Sequence, residues 1–230
     1  MGNNIFLKVL GGSILAIVVG VYLSTLKVPE AEVSRFPNSV YPWQIELLPS
    51  GNTRVFGLEI GESTLGEAEQ SFKEAAEITL FVAKDAEPVI EGYFSQVKIA
   101  GLKAKMVMSI ELPKDQVEAM LSRGARISTL DSGTREVTLS NEDAQQVRQL
   151  PIRSITYLPS IHLDSELIEK RFGLPTEKIA DSVSDAVHWL YPDKGMDIAL
   201  SEENKEVIQY IVPAKFDTLM LPLKSVSKTE

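Results

Sequence analysis

Residues 93–112, YFSQVKIAGLKAKMVMSIEL, contain two strand-like runs separated by the dipeptide Gly101-Leu102. In the second run, apolar residues alternate with polar ones: Ala104, Met106, Met108, Ile110 and Leu112 against Lys103, Lys105, Ser109 and Glu111. A period of two is that of a β-strand, and a glycine between two such runs is typical of a turn. The stretch therefore predicts an antiparallel hairpin with one apolar and one solvated face. We interpret the methionine stripe as core rather than as an adaptable binding face.

The segment before this hairpin contains a helix start signal. Thr64-Leu65-Gly66-Glu67 is a capping box, in which the threonine and the glutamate satisfy each other's backbone amides. Upstream, β-prone runs at 43–48 and 54–60 flank the turn-rich residues 49–52 and predict a small hairpin. With a strand at 78–82 and a short helix opened by Pro113, residues 43–125 are interpreted as a first helix-and-sheet module.

The second half has a similar order of elements. A linking segment, 126–160, contains strand-like runs at 135–139 and 153–158 and a helix capped by Ser140. In 161–223, Asp164 caps a helix that ends at Phe172-Gly173, and strand-like runs follow at 186–191, 196–200 and 205–212. An offset of one hundred residues aligns the Thr64 and Asp164 caps. We therefore predict an α+β fold with two tandem modules, each a helix followed by an antiparallel sheet.

The most apolar stretch, residues 5–26 (IFLKVLGGSILAIVVGVYLSTL), carries a single charge, Lys8. A helix of this length, at about 1.5 Å per residue, crosses a hydrocarbon core of roughly 30 Å. A cleaved signal peptide is the alternative, but large residues such as Tyr22 occupy the places where a cleavage site needs small ones. We predict a transmembrane anchor at 1–26, a proline-rich stalk at 27–42 and a polar tail at 224–230.

Small residues recur every four positions in this segment, at Gly12, Ala16 and Gly20. On a helix this spacing lines one face, and small residues there let a second helix approach closely within lipid. The alternative is that the spacing is chance, since glycine and alanine are common in membrane spans. We interpret the three residues as a membrane-helix association face, which joins the chain to a partner or to a second copy.

Flanking charges predict the orientation of the anchor. On its N-terminal side, the amino group and Lys8 are positive and no acidic residue is present. On its C-terminal side, Glu30 and Glu32 offset the positive charges of Lys27 and Arg35. Positive charge is retained on the cytoplasmic side. The sequence thus predicts a single-pass protein of the bacterial inner membrane whose body faces the periplasm.

Composition excludes several classes of function. The 230 residues carry 32 acidic and 23 basic side chains, a net charge of −9, and this charge repels a nucleic acid backbone. The chain has no cysteine, which excludes disulfides, thiolate metal sites, a cysteine nucleophile and a lipidated N-terminal cysteine. Nucleic acid is therefore not an expected partner.

The sequence offers no convincing catalytic, metal or cofactor site. Its two histidines, His162 and His188, lack the spacing of a metal-binding pair and are interpreted as structural or surface residues. The acidic pairs Glu67/Glu69 and Glu202-Glu203 fall on a solvated helix face and in a turn, not across a cleft. Neither a Gly-x-Ser-x-Gly elbow nor a phosphate-binding glycine loop occurs. We therefore expect a protein that is not an enzyme.

Residues 163–212 resemble the small outer-membrane lipoprotein of the β-barrel assembly machine and, more loosely, the modules of β-lactamase-inhibitory proteins. The resemblance rests on Phe172-Gly173-Leu174-Pro175, Trp189-Leu190-Tyr191, Lys194-Gly195 and Glu206-Val207-Ile208. It implies helices laid on an antiparallel sheet and a protein that binds other proteins without catalysis. Because the chain lacks cysteine, the lipid anchor and the outer-membrane placement are not implied.

These observations predict a membrane-anchored, envelope-facing, non-catalytic module for protein binding or scaffolding. The expected partners are the lipid bilayer and another membrane or envelope protein. Two alternatives are a permanent accessory subunit of an inner-membrane complex and, less favoured, an envelope hydrolase. Trp189 and Tyr191 alternate with His188 along one strand and are possible partner contacts. Their apolar neighbours favour a place in the core.

Overall fold

The computed structural model describes residues 41–83, 86–99, 101–181, 184–201 and 204–220. A small antiparallel sheet contains β1 (Glu46–Leu47), β2 (Thr53–Val55) and β3 (Leu58–Glu59). The large sheet contains β4 (Glu77–Val82), β5 (Val89–Ile99), β6 (Leu102–Ile110), β7 (Arg126–Thr129), β8 (Arg135–Thr138), β9 (Ile152–Pro159), β10 (Glu177–Ala180), β11 (Val187–Tyr191), β12 (Met196–Leu200) and β13 (Val207–Ile211). The helices are α1 (Leu65–Phe72), α2 (Lys114–Ser122), α3 (Asn141–Val147) and α4 (Ser165–Phe172).

The ten strands of the large sheet are antiparallel and lie in the order β10-β11-β12-β13-β9-β6-β5-β4-β8-β7. Strand β9 lies between β13 and β6 and joins the two halves of the chain, with Tyr157 opposite Met106 on one side and Ile208 on the other. Strands from the predicted first module, the linking segment and the second module therefore lie in one sheet.

The predicted fold class, an α+β chain with an N-terminal transmembrane helix and two tandem modules, is wrong. The described chain is mostly β, and its main feature is one continuous ten-stranded sheet rather than a sheet for each half. The physical reason is β9. Each half presents an open strand edge, and pairing both edges with β9 satisfies backbone groups that would otherwise lack partners.

The single-pass transmembrane assignment is also corrected. Within the described ranges, no helix has the length and apolar character that a membrane crossing requires. The longest has nine residues, about 14 Å at 1.5 Å per residue, against a hydrocarbon core of roughly 30 Å. The predicted span at 5–26, with Gly12, Ala16 and Gly20, lies outside the described residues, as do residues 27–40 of the stalk and the tail at 224–230.

The predicted hairpin at 93–112 is confirmed as β5 and β6, and Met106 and Met108 are fully buried in the main core. Gly92, opposite Met108, allows α1 to lie close to the sheet, because a Cβ there would come within 2.7 Å of Leu65 Cδ1. The opposite face of the hairpin is solvated only in part. Val107 on that face is 2% exposed and packs with Leu158 of β9.

The predicted capping box at the start of α1 is confirmed. The amide of Glu67 donates to Thr64 Oγ1 at 3.2 Å, and the amide of Thr64 donates to Glu67 Oε2 at 2.8 Å. We expect Thr64→Ala to lower the free energy of unfolding by about 1 kcal/mol, since a helical amide loses its acceptor. Urea denaturation measures this change, with the exposed Thr129→Ala as the control. Equal effects of the two substitutions would contradict a specific role for the cap.

Candidate functional site

A groove lies between helix α4 and β10, the strand at one edge of the large sheet. It holds a pocket of about 520 Å³, lined by Ser165, Glu166, Glu169, Lys170, Lys178 and Trp189. Four of these residues belong to α4, one to β10 and one to β11. We refer to this space as the α4–β10 groove. A helix beside an open strand edge is a recurring arrangement for binding an extended peptide.

Helix α4 is fixed at both ends. At its start, the amide of Leu167 donates to the carboxylate of Asp164 at 2.7 Å, which confirms the predicted cap. At its end, the Tyr191 hydroxyl donates to Gly173 O at 2.9 Å and Lys194 Nζ donates to Phe172 O at 2.6 Å. The last carbonyls of a helix lack partners within the helix, and a cation there complements the helix dipole. Strand β11 and the turn after it therefore determine where α4 lies.

Tyr191 has a positioning role at this helix end. Its side chain is 3% exposed, and burial, together with the charge of Glu169, raises the pKa of its hydroxyl to about 12. The hydroxyl thus remains a hydrogen-bond donor at physiological pH. Its bond to Gly173 O ties the C-terminal end of α4 to β11.

The N-terminal segment packs on the end of α4. The Trp43 ring meets Phe172 edge-on, with 6.3 Å between centroids, and Tyr41 stacks on Trp43 at 4.8 Å. Arg171 covers the Trp43 ring at 4.7 Å. Aromatic contacts of this kind add stability beyond the area that they bury. They hold α4 from the side of the N-terminal segment.

Trp189 is the floor of the pocket. It lies opposite Lys178 of β10, and Lys178 Nζ is 3.6 Å from the centroid of the indole ring. Trp189 is only 5% exposed, whereas the Lys178 side chain that lies over it is exposed. An exposed lysine at the sheet edge therefore covers the aromatic floor.

The structure brings Trp189 and Tyr191 together on the inner face of β11, within the main core. Trp189 also borders the groove, whereas Tyr191 anchors α4. Their role as partner contacts stays a prediction. His188, between them, lies on the opposite face beside Leu190, which belongs to a second apolar cluster.

Sequence reasoning missed the other groove residues. Strand β10 has the sequence EKIA, which is too short to show an alternating pattern, so Lys178 gave no signal. Glu166 and Glu169 are three residues apart and share one face of α4, a spacing visible in the sequence. Without the strand beside it, that face is indistinguishable from an ordinary solvated one.

The residues that were considered for chemistry lie elsewhere. His188 Nδ1 is 2.7 Å from Asp197 Oδ2; burial lowers the pKa of His188, but the bond to Asp197 and the nearby charges outweigh burial and raise it. His162 is exposed and contacts the buried Glu206. In the described ranges, no group of three or more histidine, aspartate or glutamate side chains is placed to hold a metal ion.

Of the two acidic pairs, the structure describes Glu67/Glu69. Glu67 belongs to the α1 cap, and Glu69 pairs with Arg148 at 2.9 Å. The pair Glu202-Glu203 lies outside the described residues. The described pair therefore stabilises α1 and its contact with the end of α3.

No protein-family model matches this sequence, and no curated protein matches it either. A crystal structure of a DUF4309 family protein, YjgB from Bacillus subtilis, is similar, with 13% sequence identity and a TM-score of 0.37. The match covers 70% of this chain and 88% of that chain. At this TM-score the likeness carries no argument about function. The resemblance to the barrel-assembly lipoprotein and to β-lactamase-inhibitory proteins stays an expectation.

Proposed function

We propose that this protein is a non-catalytic protein-binding module that takes up an extended segment of a partner along β10. The observation that supports the proposal is the α4–β10 groove, where a strand edge, a fixed helix and a pocket with an aromatic floor come together. In strand addition, backbone hydrogen bonds provide affinity, and pockets for alternate side chains provide specificity. The groove offers both features. The resemblance noted in the sequence also implies proteins that bind other proteins.

The large sheet has a second edge, β7, but the features for recognition favour β10. At β7, Ile127 is 52% exposed and projects from a strand of four residues. At β10, the edge runs beside α4 and opens into the pocket over Trp189. An edge alone binds a strand without selectivity, whereas an edge with a pocket selects side chains.

The short length of β10 favours an exchangeable partner over a permanent complex. Four residues provide few backbone hydrogen bonds, and obligate interfaces are larger and more apolar. The large apolar side chains exposed in the described chain lie on separate segments: Leu47, Ile127, Ile161 and Leu174. We therefore propose a binding module in preference to an accessory subunit. Its place at the periplasmic side of the bacterial envelope stays a prediction.

Ala180→Pro should abolish peptide binding at the groove and leave the fold intact. The amide of Asp181 donates to Ala186 O at 2.9 Å, toward β11, so the amide of Ala180 faces the other way, where the described residues place no further strand. Proline removes that donor, and edge strands tolerate it. The measurement is selection of peptides from a random display library on the full-length chain, followed by fluorescence polarisation with each selected peptide.

The matched control is Thr129→Pro at the opposite edge. There the amide of Leu130 donates to Thr134 O at 2.9 Å, so the amide of Thr129 faces outward from β7 in the same way. We expect the selected peptides to bind this variant as they bind the natural chain. Peptides that bind Ala180→Pro with unchanged affinity, or a selection that enriches none, would refute strand addition at β10.

A further inference from the structure

We infer that the pocket over Trp189 accepts a cationic side chain, lysine or arginine, of the partner segment, and that Lys178 holds the same place in the free protein. This inference rests on the proposed function and adds the class of side chain that the groove selects. It starts from the contact between Lys178 Nζ and the indole ring, 3.6 Å from the centroid. A cation over an aromatic face is attracted by the ring's quadrupole.

Lys178 is a cover that can be displaced. Its side chain is exposed on an edge strand, whereas the ring beneath it is 5% exposed. A strand added along β10 places alternate side chains on the face that Lys178 and Trp189 share. One of them would therefore compete with Lys178 for the ring.

The choice of a cation follows from what the ring loses when Lys178 leaves. A neutral apolar side chain would bury the indole face but would not replace the cation–π contact. A lysine or arginine side chain replaces that contact and covers the ring with its methylene groups as well. The exchange then costs little, because one cation takes the place of another.

The walls of the pocket support the same choice. Glu166 and Glu169, one turn apart on α4, line the pocket together with Ser165 and Lys170. Once Lys178 has moved out, two carboxylates face one ammonium in this lining. Charge complementarity therefore favours a positive group over a neutral or negative one.

The test uses the full-length chain with Trp43→Phe, which leaves Trp189 as the single tryptophan of the two in the sequence. Its fluorescence is titrated with Nα-acetyl-lysine amide, with Nα-acetyl-arginine amide and, as the neutral match, with Nα-acetyl-norleucine amide. In Lys178→Ala, we expect both cations to bind about threefold to tenfold more tightly, because the internal competitor is gone. The matched variant Lys215→Ala also removes an exposed lysine, but one that pairs with Glu111 outside the pocket, and it should not give this gain.

Two further measurements complete the test. In the Trp43→Phe chain, acrylamide should quench Trp189 more strongly when Lys178→Ala is added than when Lys178 is kept. Glu166→Gln with Glu169→Gln should weaken cation binding severalfold. The inference is overturned if quenching does not rise, or if the cations bind Lys178→Ala no better than the norleucine probe does. Selected peptides that depend on Ala180 but need no lysine or arginine would refute this inference and leave the proposed function standing. A selection without Ala180-dependent peptides would refute the proposed function, and the probe titration would still decide the preference of the pocket.

Discussion

We expect the natural chain to lose stability as the pH rises from 5 to 8, and we expect Glu91→Gln to remove this loss. Glu91 lies on β5, opposite Thr79 of β4 and Ser109 of β6, on the sheet face away from the main core. It is 3% exposed, and burial raises the pKa of its carboxyl from 4.5 to about 8. Its Oε1 atom is buried and makes no hydrogen bond within the described chain. The folded protein therefore favours the neutral acid.

The sign of the effect follows from proton linkage. Below pH 4.5 both the folded and the unfolded chain hold the proton, and Glu91 contributes no pH dependence. Between pH 4.5 and about 8 the unfolded chain releases the proton and the folded chain keeps it, so stability falls by about 1.4 kcal/mol per pH unit. From pH 5 to 8 the loss amounts to about 4 kcal/mol, and above pH 8 it levels off.

His188 changes stability in the same direction but at higher pH. Its folded pKa is raised above 6.5, so its contribution is fully present below pH 6.5 and is lost as the pH rises through the folded value. Asp143 has a lowered pKa, and its contribution is lost only as the pH falls below 3.8. Among the described residues whose pKa is shifted, Glu91 is therefore the one that makes stability fall between pH 5 and 6.5.

Urea denaturation at several pH values measures the effect. Glu91→Gln should show a flat free energy of unfolding between pH 5 and 6.5, where the natural chain declines by about 2 kcal/mol. Glu77→Gln is the matched control, because Glu77 is an exposed carboxyl on the adjacent strand β4. The same slope in the natural chain and in Glu91→Gln would show that Glu91 is solvated and ionised in the folded state.

The sequence predicted those parts of the fold that depend on neighbours along the chain. The caps at Thr64, Ser140 and Asp164 were predicted correctly, because a cap is complete within four residues. The strands β5, β6, β11 and β12 were predicted because each is long enough to alternate. Local signals therefore gave the elements but not their arrangement.

Pairing between distant strands was not predictable from the same signals. The run at 153–158 was predicted as a strand of a linking segment, but its sequence does not state that it pairs with β6 and β13 on its two sides. That pairing converts two sheets into one. Strand β10 was missed because its four residues, EKIA, are too few to show a pattern, and they form a strand only where β11 supplies the partner.

The candidate site shows the same division. Trp189 was singled out from the alternation in β11, and the capped helix α4 was predicted. The sequence therefore indicated the floor of the pocket and one of its walls. Lys178 was identified only from the structure, because the pairing of β10 with β11 places it opposite Trp189. Glu91 gave no signal either, since its burial depends on what covers a sheet face rather than on its neighbours in sequence.

Trp189→Ala should lower the free energy of unfolding by about 3 to 5 kcal/mol, because Trp189 belongs to the main core as well as to the groove. The indole packs within the cluster that contains Ile168 and Phe172 of α4 and Ile198 of β12. Alanine would leave a void under α4, and in a chain of this size each kcal/mol lowers the melting temperature by about 2 to 4 °C. Thermal unfolding followed by circular dichroism measures the shift.

Trp43→Ala is the matched control, since Trp43 also contacts α4 but is only partly buried. We expect it to cost less than half as much, because fewer of its contacts are enclosed. A melting temperature that barely changes in Trp189→Ala would show that the core does not need the indole. A large shift means that loss of peptide binding in Trp189→Ala cannot be assigned to the pocket, because the wall formed by α4 is disturbed with its floor. Binding is therefore tested through Lys178 and Ala180, whose exposed side chains can change while the floor stays in place.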